Sequence, residues 1–292
     1  MRGMKAWSSG VGALAVVAAA TVGFAVGDAL ATPGRHAATI GSSSDHRAQS
    51  DLEWAWDLAP GKTLEIKGIN GWIHVDRARG TKTSVSVEKK ARHSDPDEVK
   101  IEVVPTAEGI TICAVYPGRW GSPNSCESGD GEHSHVDNND VQVYFTVHVA
   151  SGVRCVPKTV NGDIEVASVD GPVDARTVNG SIDLSSTKPV SAQTVNGSIR
   201  ADMGMLGRDD LDFQTVNGSV TVVVGGRVDA RLVARTLNGD IDSDWPLTIE
   251  SGKVSRHRID ATIGRGGPQL RIETVNGGIH LRQRGGPSRD DD

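Results

Sequence analysis

Apolar and polar residues alternate with a period of two through most of the chain after residue 52. The runs "KTLEIKGI", "TSVSVEKK", "VKIEVV", "GITICAVY" and "VQVYFTVHV" all carry it, and in the last Val141, Val143, Phe145, Val147 and Val149 share one face. Side chains at i and i+2 lie on the same side of a strand, so each run predicts a β-strand with a buried face. Beyond Val149 the runs become shorter and more regular. Val173, Ala175 and Thr177 share a face, and after Asn179 and Gly180 the same side is taken up by Ile182 and Leu184. Each unit therefore predicts strand, corner, strand and loop around a narrow interior of Val, Ile, Leu and Ala.

The corners repeat in sequence as well as in pattern. Thr-Val-Asn-Gly or a near copy places the pair at Asn161 and Gly162, Asn179 and Gly180, Asn196 and Gly197, Asn217 and Gly218, Asn238 and Gly239, and Asn276 and Gly277. "GINGWIHV" adds an outlying copy at Asn70 and Gly71. Both residue types tolerate the positive φ that tight turns use, so these are assigned a structural turn role. Successive steps are 18, 17, 21, 21 and 38 residues. The last predicts a coil without its Asn-Gly, the Gly-rich "RIDATIGRGGPQL" substituting for it. Two architectures meet the pattern. In an antiparallel meander each corner is a hairpin tip; in a β-solenoid each stacks on its neighbour about 4.8 Å away, which favours identical residues in ladders. The expectation is an all-β, single-domain β-solenoid with repeats of about 17–21 residues and a broader N-terminal β portion, with the meander still open.

Composition agrees with many turns: Gly numbers 35 and aromatics make up 4%. Residues 1–31 stand apart. Arg2 and Lys5 precede the apolar run "VGALAVVAAATVGFAVG", and Ala29-Leu30-Ala31 offers an A-x-A cleavage pattern. These parts predict a secretory signal peptide. An uncleaved anchor is the alternative, since roughly 17 apolar residues suffice to span a bilayer. Residues 32–51 predict a flexible spacer and 284–292 a disordered tail, leaving 52–283 as one domain. With a net charge of −6 and scattered arginines, the chain is poorly suited to bind nucleic acid or anionic lipid by charge alone, a local basic patch apart, and no nucleic-acid partner is expected. Membrane contact is expected only through an uncleaved N-terminal segment. The expected location is exported: periplasmic, cell-surface or secreted.

Three separated stretches carry a resemblance: "WDLAPGKTLEIKGINGWIHV", then "ITICAVYP" with "VRCVPKTVNGDIEV", then "ATIGRGGPQLRIETVNGGIHLR". Over about residues 52–283 the chain resembles the bacterial putative-adhesin domain of unknown function. That resemblance implies an exported β-solenoid and brings no catalytic residues with it. The function expected is a non-enzymatic envelope protein whose solenoid is a scaffold or binding surface, adhesin-like, with an envelope protein or a glycan as partner. A carbohydrate-active solenoid enzyme and an envelope stress or signalling partner are the alternatives.

Candidate chemistry is sparse. The outward position after each corner reads Glu165, Asp183, Arg200, Thr221, Asp242 and His280, a column of mixed sign that suits a solvated face better than a catalytic stripe. Asp240 with Asp242, and Asp209 with Asp210, are acidic pairs without the unlike environments that glycoside hydrolysis needs. No catalytic residue and no cofactor is assigned. In "GDGEHSHVDNND", His133, His135 and Asp137 are weak metal candidates, and a polar loop explains them as well. The NGS triplets at Asn179, Asn196 and Asn217 follow from the repeat. Trp54 and Trp56 share a face with Leu52 and Leu58, either exposed as a platform or buried as a solenoid cap. Three cysteines permit at most one internal bridge. A strand holding Cys113 and the loop holding Cys126 favour that pair, as does similar Cys placement in the resembled family, leaving Cys155 as a buried free thiol; three unpaired thiols are the alternative.

Overall fold

The computed structural model describes residues 48–118, 123–129, 138–188, 190–249 and 255–285. The segments read as signal peptide and most of the spacer lie outside them, as do His133, His135, Asp137 and residues 286–292. Among the described residues, apart from one 3-10 turn at Pro96–Glu98, the regular structure is all β. The first sheet runs, in spatial order, β1 (Ala48–Trp56), β4 (Thr83–Lys90), β7 (Gln142–Val149), β3 (Ile73–Arg77), β9 (Ile164–Val169), β11 (Ile182–Ser186), β13 (Ile199–Met203), β15 (Val220–Val224), β21 (Ile279–Gln283) and β17 (Ile241–Ser243). The second runs β18 (Leu247–Thr248), β19 (Arg258–Ile263), β16 (Ala230–Arg235), β20 (Gln269–Glu273), β14 (Leu211–Gln214), β12 (Val190–Gln193), β10 (Val173–Arg176), β8 (Arg154–Lys158), β2 (Thr63–Lys67), β6 (Gly109–Val115) and β5 (Lys100–Pro105).

Pairing within the repeats is parallel, so the chain winds as a solenoid, and each Asn-Gly is a corner where it passes from the second sheet to the first. The inward positions form the core: Val173, Ala175, Ile182 and Leu184 are buried, as are their register partners Val190, Ala192, Ile199 and Ala201. Among the described strands, antiparallel pairing is confined to β1–β4–β7, β5–β6 and the hairpin β16–β19–β18, with one isolated bridge from Ser255 to Arg258 besides. The broader N-terminal part therefore covers one end of the stack. Trp56 is buried there and Trp54 packs partly against the core, while Leu52 is exposed.

The corner residues divide the work. Each Asn amide donates to the Asn before it in space: Asn161 to Asn70 at 2.9 Å, Asn179 to Asn161, Asn196 to Asn179 and Asn217 to Asn196 at 2.8 Å, and Asn276 to Asn217 and Asn238 to Asn276 at 2.7 Å. Each buried Thr donates its hydroxyl to the carbonyl of the preceding rung's Gly, for example Thr194 to Gly180 at 2.9 Å. The Gly is fixed by close approach. A Cβ on Gly162, Gly180, Gly197 or Gly218 would lie 2.0 Å from the carbonyl oxygen of the preceding rung's Gly. Positive φ explains little: of the seven repeat glycines only Gly71 and Gly277 have φ in the left-handed range, and none of the repeat asparagines does. Replacing Asn196 by Ala leaves Asn179 Oδ1 and Asn217 Nδ2 to water on an exposed edge. We expect a loss of about 1 kcal/mol; an unchanged urea midpoint would remove the amide ladder as a source of stability.

Two expectations are corrected. The 38-residue step hides no corner-less coil. After Asn238 the chain turns back through β18 and β19, and "RIDATIGRGGPQL" forms β19 and the turn at Gly264, Gly266 and Gly267 that leads into β20. The rung of Asn276 then inserts between those of Asn217 and Asn238, so spatial order departs from chain order. Asn70, far upstream in sequence, does start the series: it is the first rung, stacked on Asn161 across 91 residues of sequence. The spacer is shorter than read from sequence, because β1 begins at Ala48.

Candidate functional site

The residue before Asn is exposed at five of the seven corners, whereas at the first two Ile69 is buried and Val160 packs partly against the core. Thr must face inward to reach the neighbouring carbonyl and Asn must join the amide ladder, so alternation turns the residue between them outward. The result is an aliphatic rail of Val178, Val195, Val216, Val275 and Leu237, their exposure running from 36% at Val275 to 66% at Leu237. Beside it the last outward position of the second sheet forms a polar row in strict register: Lys158, Arg176, Gln193, Gln214, Glu273 and Arg235. Apart from Val178 and Lys158, rail and row line an open groove of about 640 Å³.

The row is held by the next outward column. Arg176 donates to both carboxylate oxygens of Asp174 at 3.1 and 3.0 Å, Gln214 donates to Asp212 at 3.0 Å, and Arg271 and Arg235 bind Glu273 at 2.8 and 3.1 Å. These pairs fix side-chain positions and leave the groove with charges balanced against one another. Such a surface suits a partner that supplies apolar contacts and neutral hydrogen-bonding groups.

The other candidates fall elsewhere. The outward column of the first sheet is assembled in register as His74, Glu165, Asp183, Arg200, Thr221, His280 and Asp242. His74 lies between Glu165 at 3.0 Å and Asp76 at 2.9 Å; burial alone would lower its pKa, but the two carboxylates outweigh this and raise it. Asp183 is raised by burial first, with Glu165 adding and Arg200 opposing. Asp242 accepts from His280 at 3.2 Å. Asp209 and Asp210 sit in an exposed turn, and Asp210 binds the Gln269 amide at 2.7 Å. Asp140 accepts backbone N–H bonds from Ser94, His93 and Arg92, and the first of these leads in holding its carboxyl well below the usual range. It serves as a loop anchor. Among the described residues no cluster has the make-up of a metal site. Cys113 and Cys126 are disulfide-bonded with Cα atoms 5.6 Å apart. Cys155 is free and fully buried, and burial pushes its thiol up to about 12.

The geometry defines a parallel β-solenoid with a polar amide ladder at one corner and an aliphatic rail beside it. Residues 151–282 match the family model described as Toastrack DUF4097. The match spans the repeats from β8 to β21, while the same two sheets continue through residues 52–150. Among solved structures the chain is similar to a putative cell adhesion protein from Clostridium sporogenes, at 12% identity over 80% of this chain and 100% of that one, with a TM-score of 0.44. It is also similar to a putative adhesin from Bacteroides fragilis, at 10% identity over 80% and 97% with a TM-score of 0.31. A putative lipid binding protein from Parabacteroides distasonis gives 10% identity over 80% and 96%, with a TM-score of 0.26. No curated protein matches the chain.

The rail was readable in principle, since the second residue of each Thr-Val-Asn-Gly must face opposite to Thr. It was missed because Val in a β repeat reads as core.

Proposed function

We propose that the protein is a non-enzymatic binding scaffold of the cell envelope, exported by residues 1–31, and that the corner groove holds an extended segment of an envelope partner. The observation that carries this is the aliphatic rail. Five exposed aliphatic side chains in one line are more than a solvated corner needs, and contiguous apolar surface with a polar border marks interaction sites. Export is supported by the three-part N-terminal pattern and by a disulfide, which persists in oxidising compartments. A scaffold role is supported by carboxylates that are engaged in ion pairs and loop anchoring rather than gathered in a cleft. The test is cosedimentation of purified mature protein with envelope fractions. Val195→Glu/Val216→Glu, both on exposed positions, should fold normally and bind about tenfold more weakly. Equal retention of variant and wild type would rule out the groove.

One observation favours the carbohydrate-active alternative. Glu165 and Asp183 are register neighbours, and Asp183 has the raised pKa expected of a general acid. Turnover of a polysaccharide that is abolished in Asp183→Asn would replace the scaffold reading with this one.

A further inference from the structure

The position after each corner glycine is small in six of seven rungs, polar at Asp163, Ser181, Ser198, Ser219 and Asp240 and a further glycine at Gly278. The first rung has Trp72 instead, and its side chain is 42% exposed. The rung geometry needs no bulk here, as the other six show. Trp72 also has a partner that the repeat does not supply. Tyr144, from the outward face of neighbouring β7, brings its ring to 5.1 Å between centroids at a 31° tilt. In a chain with 4% aromatics, two half-exposed rings side by side on a sheet face are a departure from the pattern of the fold.

The surroundings of the rings are polar and ordered. Tyr144 donates its hydroxyl to Gln142 Oε1 at 2.6 Å, and Lys90 stands 5.3 Å from the Tyr144 centroid while paired with Glu88 at 2.9 Å. On the other side His74 meets the Trp72 ring edge-on at 6.5 Å and is held between Asp76 and Glu165. Lys90 is paired with Glu88 and His74 is shared by Asp76 and Glu165, so the rim offers directional donors and acceptors with a small negative excess. A charged ligand would have to break these pairs. An apolar ligand would leave the rim groups without use.

We infer that Trp72 and Tyr144 form a platform for a neutral glycan, stacking against the C–H face of a sugar ring while rim groups take its hydroxyls. The sugar's C–H bonds carry slight positive charge and the aromatic faces slight negative charge, so stacking adds electrostatic fit to the removal of apolar area from water. A small number of placed polar groups around an apolar floor then orients the ring. The site lies on the first sheet, apart from the corner groove of the second, and the inference does not depend on that groove.

The experiment is affinity electrophoresis of the mature protein in soluble neutral polysaccharides (β-glucan, mannan, galactan and soluble chitin fragments), with alginate and anionic phospholipid vesicles alongside. Wild type should be retarded by at least one neutral glycan. Trp72→Ser installs the residue that the same position carries in three other rungs, so it should keep its melting temperature and lose affinity at least tenfold; Trp72→Phe should stay within about threefold of wild type. Val195→Glu/Val216→Glu should bind the glycan as wild type does, which separates failure of this site from failure of the groove. No retardation by any neutral glycan, binding only to alginate or vesicles, or unchanged affinity in Trp72→Ser would each overturn the inference.

Discussion

Gly180→Ala is expected to destabilise the protein by about 3 kcal/mol or more, although the new methyl group is as small as a side chain can be. Its Cβ would lie 2.0 Å from the Gly162 carbonyl oxygen, 2.5 Å from the Gly162 carbonyl carbon and 3.0 Å from the Asp163 nitrogen. All three are backbone atoms, so no side chain can swing aside. The rungs cannot spread to make room, because Gly162 N–H donates to Asn179 O at 2.9 Å and Gly180 N–H to Asn196 O at 3.0 Å on the same corner. Relief therefore requires breaking the corner pairing on one side. Gly80→Ala is the control: nothing lies within 4 Å of its Cβ and its φ is not in the left-handed range, so it should change stability by less than about 0.5 kcal/mol. Equal urea midpoints for Gly180→Ala and Gly80→Ala would show that the corner is looser than described. Asn196→Ala, which removes only exposed amide bonds, should fall between them.

The same comparison shows what the sequence could disclose. Alternation and the recurring corner favoured the solenoid over the meander, because inward positions such as Ile182, Leu184, Ile199 and Ala201 repeat at a constant offset from Asn-Gly. The spatial order of the last two rungs was not readable. Thr-Val-Asn-Gly at residue 276 and Thr-Leu-Asn-Gly at residue 238 present the same bonding groups to a neighbour, so local sequence does not say which one follows Asn217. That choice is made by the antiparallel return of β19 along β16, a long-range pairing. The reason for glycine was also misread. Turn chemistry suggested φ, whereas the requirement is close backbone approach between successive rungs, which appears only when a neighbour is present.

The candidate sites were less legible than the fold. Trp72 sits in the outlying "GINGWIHV", and its departure from the Asp, Ser and Gly of the other rungs becomes visible only when Asn70 is aligned with them. Tyr144 belongs to a strand 72 residues later, and only the pairing of β3 with β7 brings the rings together. Periodicity gives the face of a strand and says nothing of its neighbour.

Removing the disulfide with Cys113→Ser/Cys126→Ser should cost about 3 kcal/mol in the chain-entropy view of a loop of about 13 residues, less any slack the native loop retains. For a body of this size that corresponds to a melting temperature lower by about 6–12 °C. The bond joins β6, in the second sheet, to the segment 123–129 that crosses its outer face. That segment is also held by Asn124 N–H on Tyr116 O at 3.2 Å, by Gly129 N–H on Glu65 Oε2 at 3.1 Å and by Lys158 Nζ on Gly129 O at 3.2 Å. Glu65 is 5% exposed and bonded to Thr111 and Lys158 at 3.1 and 2.9 Å, so losing the segment uncovers a buried ion pair to water. Hydrogen exchange should therefore rise in residues 116–129 first. Protection of the amides of Asn179, Asn196 and Asn217 should persist, because these donate to Val160, Val178 and Val195 within the stack and no sulfur takes part. Cys155 should not exchange into the bridge: its buried thiol, pushed up to about 12, supplies almost no thiolate at neutral pH. Equal melting temperatures with and without the bridge, or uniform loss of protection along the ladder, would show that the segment and the solenoid are not coupled in this way.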